Sequence, residues 1–284
     1  MPRISVALGL ALSFGPAAME AQVLCSPPKD SHEAQLFAAL SVPLAFSLVE
    51  APGGLAPGAV RLGLEGTYLP NIDQDIRTST ICRPGKGPEN TDLLSAFPRP
   101  RGAVGLPGGL RLEVSWIPPI RLNQVKSNLV GLSLERGVPM GGRGIGLTVR
   151  AHGTFGLIQG PFTCDDENLR DPASECFQGT RSDDRYHPNI FGLEGALGWS
   201  LGGGRVRPFL GGGVNLLHPR FQVNFTNQFG VLDNTRIRVN LTRGVLFGGA
   251  TWMAAPRLGL SGQIYSSPGD EVTGRVTLNY LIRP

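Results

Sequence analysis

Charge is scarce in this sequence: Asp, Glu, Lys and Arg make up 17% of 284 residues, and aromatics only 7%. After the N-terminal region no apolar run is long enough for a spanning helix, which excludes a helical membrane protein. Apolar spacing at 3.6 residues is nearly absent too, which excludes a helical bundle. Lys and Arg form no block, so the net charge of +4 is diffuse and gives no footprint for nucleic acid. No GxSxG, P-loop, HExxH or paired CxxC occurs, so no catalytic residue, metal or cofactor is implied by a motif.

Glycine (40) and proline (24) are abundant. The N-terminus has the three parts of a signal peptide. Arg3 is the positive start, Ile4–Phe14 the apolar stretch, and Ala17, Ala18 and Ala21 the small residues, so residues 1–21 are expected to be removed on export. Leu24 stands where a lipidated Cys25 would need a small neighbour, which argues against a lipoprotein. Export permits disulfides among the four cysteines. Cys164 and Cys176 share one polar loop and are expected to pair, leaving Cys25 with Cys82.

One helix is expected, over residues 30–42. Asp30 and Glu33 resemble a capping box, and Pro43 would end it. Packing at the mouth of a barrel is favoured over a plug in the lumen.

Beyond residue 58 the period becomes two. From Ile145 to Leu157 every odd position is apolar or Gly, while Thr148, Arg150, His152 and Thr154 fall between them. Similar alternation recurs at 60–68, 110–116, 130–135, 191–201, 237–242 and 272–283. A soluble sandwich or lipid-binding barrel would alternate as well. Two features favour a membrane barrel: several segments reach the ~9–11 residues that span a bilayer, and connections alternate between short and long. Tight turns fall at Met140–Arg143, Gly202–Gly204 and Ala254–Arg257. Long connections fall at Pro118–Val125, Gln159–Pro188, Thr226–Asp233 and Ser266–Asp270.

The fold expected is all-β, an antiparallel transmembrane β-barrel of about ten strands with a short N-terminal helix. Residues 22–58 form a periplasmic N-terminal segment and 59–284 the barrel. The first strands lie near 59–69 and 72–82, and the Pro-rich stretch 83–108 is a periplasmic or lumen insert. Both termini fall in the periplasm, as does the Cys25–Cys82 bridge. Trp116, Trp199, Trp252, Tyr68 and Tyr280 lie near strand ends, as interfacial girdles require.

Alternation assigns Arg61, Glu65, Arg111, Glu113, Glu135, Arg150, His152, Glu194, Arg236, Arg238 and Arg275 to the lumen. A filling network of Arg–Glu pairs accounts for this set; a binding path favouring anionic groups is the functional reading. In the loop at 159–188, Asp183, Asp184 and His187 are of the residue types used by rim hydrolases of ten-stranded barrels, though their spacing matches no motif.

The stretch FPRPRGAVGLPGGLRLEVSWIPPI (97–120), followed by VGLSLERGVP (130–139), resembles a family of uncharacterised bacterial outer-membrane proteins, distantly similar to long-chain fatty-acid transport barrels. The resemblance covers roughly residues 30–160, and Gly105–Gly109 is its most specific part. It implies a short helix ahead of an outer-membrane barrel and carries over no functional residue. The chain departs from common outer-membrane barrels in ending on Arg283-Pro284 instead of an aromatic residue. The function expected is binding or passage of a small hydrophobic or anionic amphipathic molecule, without enzymatic activity. A structural or adhesive barrel and a rim hydrolase are the alternatives. Expected partners are outer-membrane lipid and the barrel-assembly machinery.

Overall fold

The computed structural model describes residues 23–140 and 144–283; the signal-peptide segment and part of the turn after Met140 lie outside them. Ten antiparallel strands form one closed barrel. They are β1 Val60–Tyr68, β2 Ala96–Leu106, β3 Leu110–Ile117, β4 Val125–Met140, β5 Ile145–Gly160, β6 Ile190–Trp199, β7 Val206–Leu217, β8 Leu241–Ala255, β9 Leu258–Ser267 and β10 Glu271–Arg283. Pairing of β10 with β1, from Arg275↔Thr67 to Arg283↔Val60, closes the ring.

The wall is inverted relative to a soluble protein. Outward residues such as Leu193 (60% exposed) and Ile264 (64%) are apolar, whereas inward Glu65 and Thr277 are fully buried. An apolar exterior around a polar interior is stable only in lipid, which decides between the membrane barrel and the soluble alternatives. Tyr68 and Trp116 stand at the long-loop ends of their strands; Trp199, Trp252 and Tyr280 stand at the opposite ends. These are two aromatic girdles, as the sequence suggested.

One end carries short turns, including Pro107–Gly109 and Gly202–Gly204. The other carries every long connection. There the wall is uneven. β5 runs on to pair with Asp184–His187, which pairs with Arg220–Gln222, which pairs with Arg236–Arg238. This extension keeps the registers of β5 to β8 and raises one side of the barrel above the belt.

The second strand departs from the sequence reading. Residues 72–82 are not a strand: Asp73 caps a single helical turn, α2 (Gln74–Arg77). The strand lies at 96–106, inside the stretch assigned to an insert. Its prolines are tolerated because residues 96–100 pair with β1 alone, and pairing with β3 begins only at Arg101↔Ser115. Where a strand has one neighbour, a missing N–H costs no ladder bond.

The N-terminal segment is the larger correction. Helix α1 (His32–Leu44) starts at Ser31, whose side chain accepts from the Ala34 N–H, and Pro43 lies in its last turn. Asp30 and Glu33 form no capping box. Instead of lying outside the barrel at the short-turn end, the described segment begins at the long-loop end. There Leu24–Cys25 adds beside Arg236–Ile237, and Cys25 bonds Cys82. From there it descends through the lumen as α1 and an extended stretch, then turns into β1. Both disulfides pair as expected, but Cys25–Cys82 sits at the opposite end from that predicted. The segment is a plug.

Candidate functional site: a plugged lumen beneath an apolar cavity

An extended segment inside a barrel has no strand to pair with, so its backbone groups need other partners. The lumen wall provides them side chain by side chain. Carbonyl oxygens accept in succession along the plug: Val42 from Arg275 (2.9 Å), Leu44 from Arg99 (3.0 Å) and Thr154 (3.0 Å), and Ala45 from Arg99 (3.3 Å). Phe46 accepts from Arg150 (3.1 Å), Ser47 from Arg101 (3.2 Å), and Leu48 from Gln263. In the other direction, the Leu48 N–H donates to Glu194 (3.2 Å) and the Ala51 N–H to Thr251 (2.9 Å). The lumen therefore holds more Arg than Glu for a physical reason. A guanidinium carries five donors, enough for carboxylates and carbonyls together.

Phe46 is the centre of this arrangement. The guanidinium carbons of Arg101, Arg150 and Arg99 lie 4.4, 4.7 and 5.8 Å from its ring centroid, within cation–π range. Its ring lies over Gly131, where an added Cβ would come 2.8 Å from the ring. Around it the carboxylates balance the cations. Glu113 bonds Arg101 (2.8 Å) and faces Arg150 (3.2 Å); Glu65 pairs with Arg101 and Arg99. Glu135 and the plug's own Glu50 hold Arg111 at 2.7 and 2.6 Å, and Glu50 also takes Arg61. His152 faces Glu194 at 3.3 Å.

Nine of the eleven lumen assignments are thus brought together inward. Arg236 and Arg238 are not: Ile237 between them is buried and they face out. The reason is their height. Above the belt the outside is water, so the apolar face turns inward and the charged face outward. The sequence reading missed Arg99, Arg101, Phe46 and Glu50. The first two were visible as inward alternation from Phe97 through Gly105, hidden by the outward Pro98 and Pro100.

At the short-turn end the plug is fitted by glycines. Gly58 donates its N–H to Gly105, which donates to Ala59, both at 2.9 Å. A Cβ at Gly105 would overlap the Ala56 carbonyl and come 2.8 Å from that of Leu55. Gly105, the first residue of the Gly-Leu-Pro-Gly-Gly run, is therefore a seat for the plug's last turn.

At the long-loop end the plug leaves space. A cavity of about 120 Å³ lies between α1 and the raised wall. Phe37, Leu40 and Leu44 of α1 form one side. Leu129, Ile158, Tyr186, Phe221 and Ile237 form the other, and the 69–95 loop covers it with Leu69, Ile72 and Ile76. Glu33, Ser79 and Thr91 add polar groups to its lining.

Glu33 fastens that cover. Its carboxylate accepts from the Ser79 hydroxyl (2.7 Å) and from the N–H groups of Thr80, Ile81 and Cys82 (2.7–3.0 Å). Burial by itself would raise its pKa. The hydrogen bonds from Ser79, Cys82 and Ile81 outweigh this and hold it at about 2, against an ordinary 4.5. Because the folded value is depressed, the stabilisation is complete above pH 4.5 and is lost as pH falls toward 2. Amides 80–82 should therefore exchange faster, relative to their intrinsic rates, at pH 3 than at pH 6, and Glu33→Gln should reproduce the fast behaviour at pH 6. Equal protection in all three conditions would refute this role.

The residues considered for a rim hydrolase are not brought together. Asp184 points inward and accepts from the Thr163 N–H (2.7 Å), the Ser182 hydroxyl (2.8 Å) and the Asn224 N–H (2.9 Å). His187 lies on the other face of the same strand, its Nδ1 2.7 Å from the Gly156 carbonyl oxygen.

No protein-family model and no curated protein matches the sequence. Among solved structures the chain is similar to several barrels. The attachment invasion locus protein Ail of Yersinia pestis has 9% identity and a TM-score of 0.29, covering 80% of this chain and 98% of that one. The outer membrane protein Omp33 of Acinetobacter baumannii has 7% identity and a TM-score of 0.31, covering 79% and 98%. The translocator domain of autotransporter NalP from Neisseria meningitidis has 10% identity and a TM-score of 0.35, covering 80% and 89%.

Proposed function

We propose that this chain is a bacterial outer-membrane barrel that captures a small hydrophobic or amphipathic molecule at its external mouth. Long loops mark the external end of such barrels. The observation that carries the reading is the apolar cavity under those loops. Its lining is mostly apolar, with a few polar groups among it, as in sites for apolar and amphipathic ligands. An aliphatic body would lie against Leu40, Leu129 and Ile158, and a polar head would lie near Glu33, Ser79 and Thr91.

The plug below the cavity favours capture over passage along the barrel axis. The same filled lumen supports the second reading, a structural or adhesive barrel, in which the cavity holds nothing. Titration of the purified barrel with a fluorescent alkyl-chain probe separates the two. Saturable binding is expected, and the cavity-filling variants Leu129→Trp and Ile158→Trp should weaken it at least tenfold, about 1.4 kcal/mol. Absence of saturable binding to the unaltered protein, or indifference to both variants, would leave the structural reading.

A further inference from the structure

The raised wall carries a feature that the cavity does not use. Its outward positions are cationic across neighbouring strands. In register lie Arg121, Lys126, Gln159, Arg185, Gln222 and Arg236. The adjacent row, nearer the belt, holds His187, Arg220 and Arg238. None of these Arg and Lys side chains forms an ion pair among the described residues, whereas Arg61, Arg99, Arg101, Arg111 and Arg150 of the lumen do. Arg220 bonds only neutral groups: the carbonyls of Pro219 and Val239 and the Asn240 side-chain oxygen. Among the described residues the only carboxylate in line on this face is Asp183, two residues farther out than Arg185 and exposed.

Unpaired like charges placed opposite each other are destabilising in a sheet. Partial burial and the facing Arg238 both pull the Arg220 pKa below its ordinary value. Such rows persist at low cost only if an external anion neutralises them. Guanidinium groups in planar rows suit phosphate oxygens, which they bind bidentately.

Position specifies the source of the anion. The rows stand directly above the exposed apolar residues of the same strands: Val130 on β4, Phe191 on β6, Leu216 on β7 and Leu246 on β8. Along the shared registers, from Val130, Phe191 and Leu216 to the two rows is four to six residues at ~3.3 Å rise and ~40° tilt, or about 10–15 Å above the hydrocarbon. A phospholipid headgroup layer, about 5–8 Å deep on each face, ends below this range. A phosphorylated oligosaccharide on a lipid anchor spans it. We propose that the outward face of the raised wall, centred on Arg185, Arg220, Arg236 and Arg238, binds the phosphorylated saccharide headgroup of a glycolipid in the external leaflet.

The test uses the full chain purified in detergent, with lipopolysaccharide as probe and native mass spectrometry or fluorescence anisotropy as readout. The unaltered barrel should bind lipopolysaccharide and lose affinity steeply as salt rises. The combined Arg185→Gln, Arg220→Gln, Arg236→Gln and Arg238→Gln variant should bind at least tenfold more weakly. Enzymatically dephosphorylated lipopolysaccharide should match that loss on the unaltered protein, and phosphatidylglycerol should compete poorly. Folding of the variant is checked by heat-modifiable migration. If it does not fold, the dephosphorylated probe and the salt series on the unaltered chain decide alone. Equal binding of native and dephosphorylated lipopolysaccharide would overturn the proposal. So would equal competition by phosphatidylglycerol, or undiminished binding by a folded variant.

Discussion

Phe46→Ala should destabilise the barrel by about 3–5 kcal/mol, the range for removing a buried aromatic. The effect is expected at the upper end because the ring does two things. It fills the space over Gly131, and it is the common face for Arg99, Arg101 and Arg150. Without it three guanidinium groups keep their plug carbonyls but border a void, and water would enter. The expected signs are a lower temperature for loss of heat-modifiable migration and transient conductance in planar bilayers, with none expected from the unaltered chain. Phe46→Leu, which restores volume but not the aromatic face, should recover only part of the stability. Full recovery by Leu would show that packing alone matters at this position.

Glu113→Gln should be comparably severe, at about 3–5 kcal/mol, because removing one partner leaves buried charge uncompensated. Glu113 is 2.8 Å from Arg101, 3.2 Å from Arg150 and 3.9 Å from Arg111, so three cations lose their shared anion. Arg101 and Arg150 also hold the plug at Ser47 and Phe46, so the loss should reach the plug. An exposed pair is the contrast. Breaking Arg77–Asp92 by Asp92→Asn should cost no more than about 1 kcal/mol. Denaturant titration of the three proteins in one detergent checks the ranking, and a Glu113→Gln barrel no weaker than Asp92→Asn would refute the hub assigned to this carboxylate.

The strands were legible because a membrane barrel leaves a period of two, and the run from Ile145 to Leu157 reports it without interruption. The turns were legible because short ones lie at one end. Two features were not. In β2 the prolines at 98 and 100 imitate a loop, and only the one-sided pairing of residues 96–100 explains why they are accepted. The plug has no periodic signature at all. Residues 45–58 read as an apolar, Pro- and Gly-rich linker, since the partners of their backbone groups lie far off in sequence, from Arg99 to Gln263. The inward charges were named correctly in most cases, yet their task was not. Nothing in alternation says that an arginine will meet a carbonyl of the same chain in place of a ligand. At Arg236 and Arg238 alternation was read correctly and the face wrongly, because sequence does not record where the lipid ends.

The Cys25–Cys82 bond joins a point before the plug to a point after β1, 57 residues apart. The chain between them runs down inside the barrel and back up as one of its staves. It forms a covalent ring hooked over the lower rim of the wall. The segment is tied at the long-loop end, so it is unable to slide out past the short turns while the bond is intact. For the capture proposed above, the tie predicts that a bound molecule leaves by the mouth or through the side, as from a cup and not along a pipe.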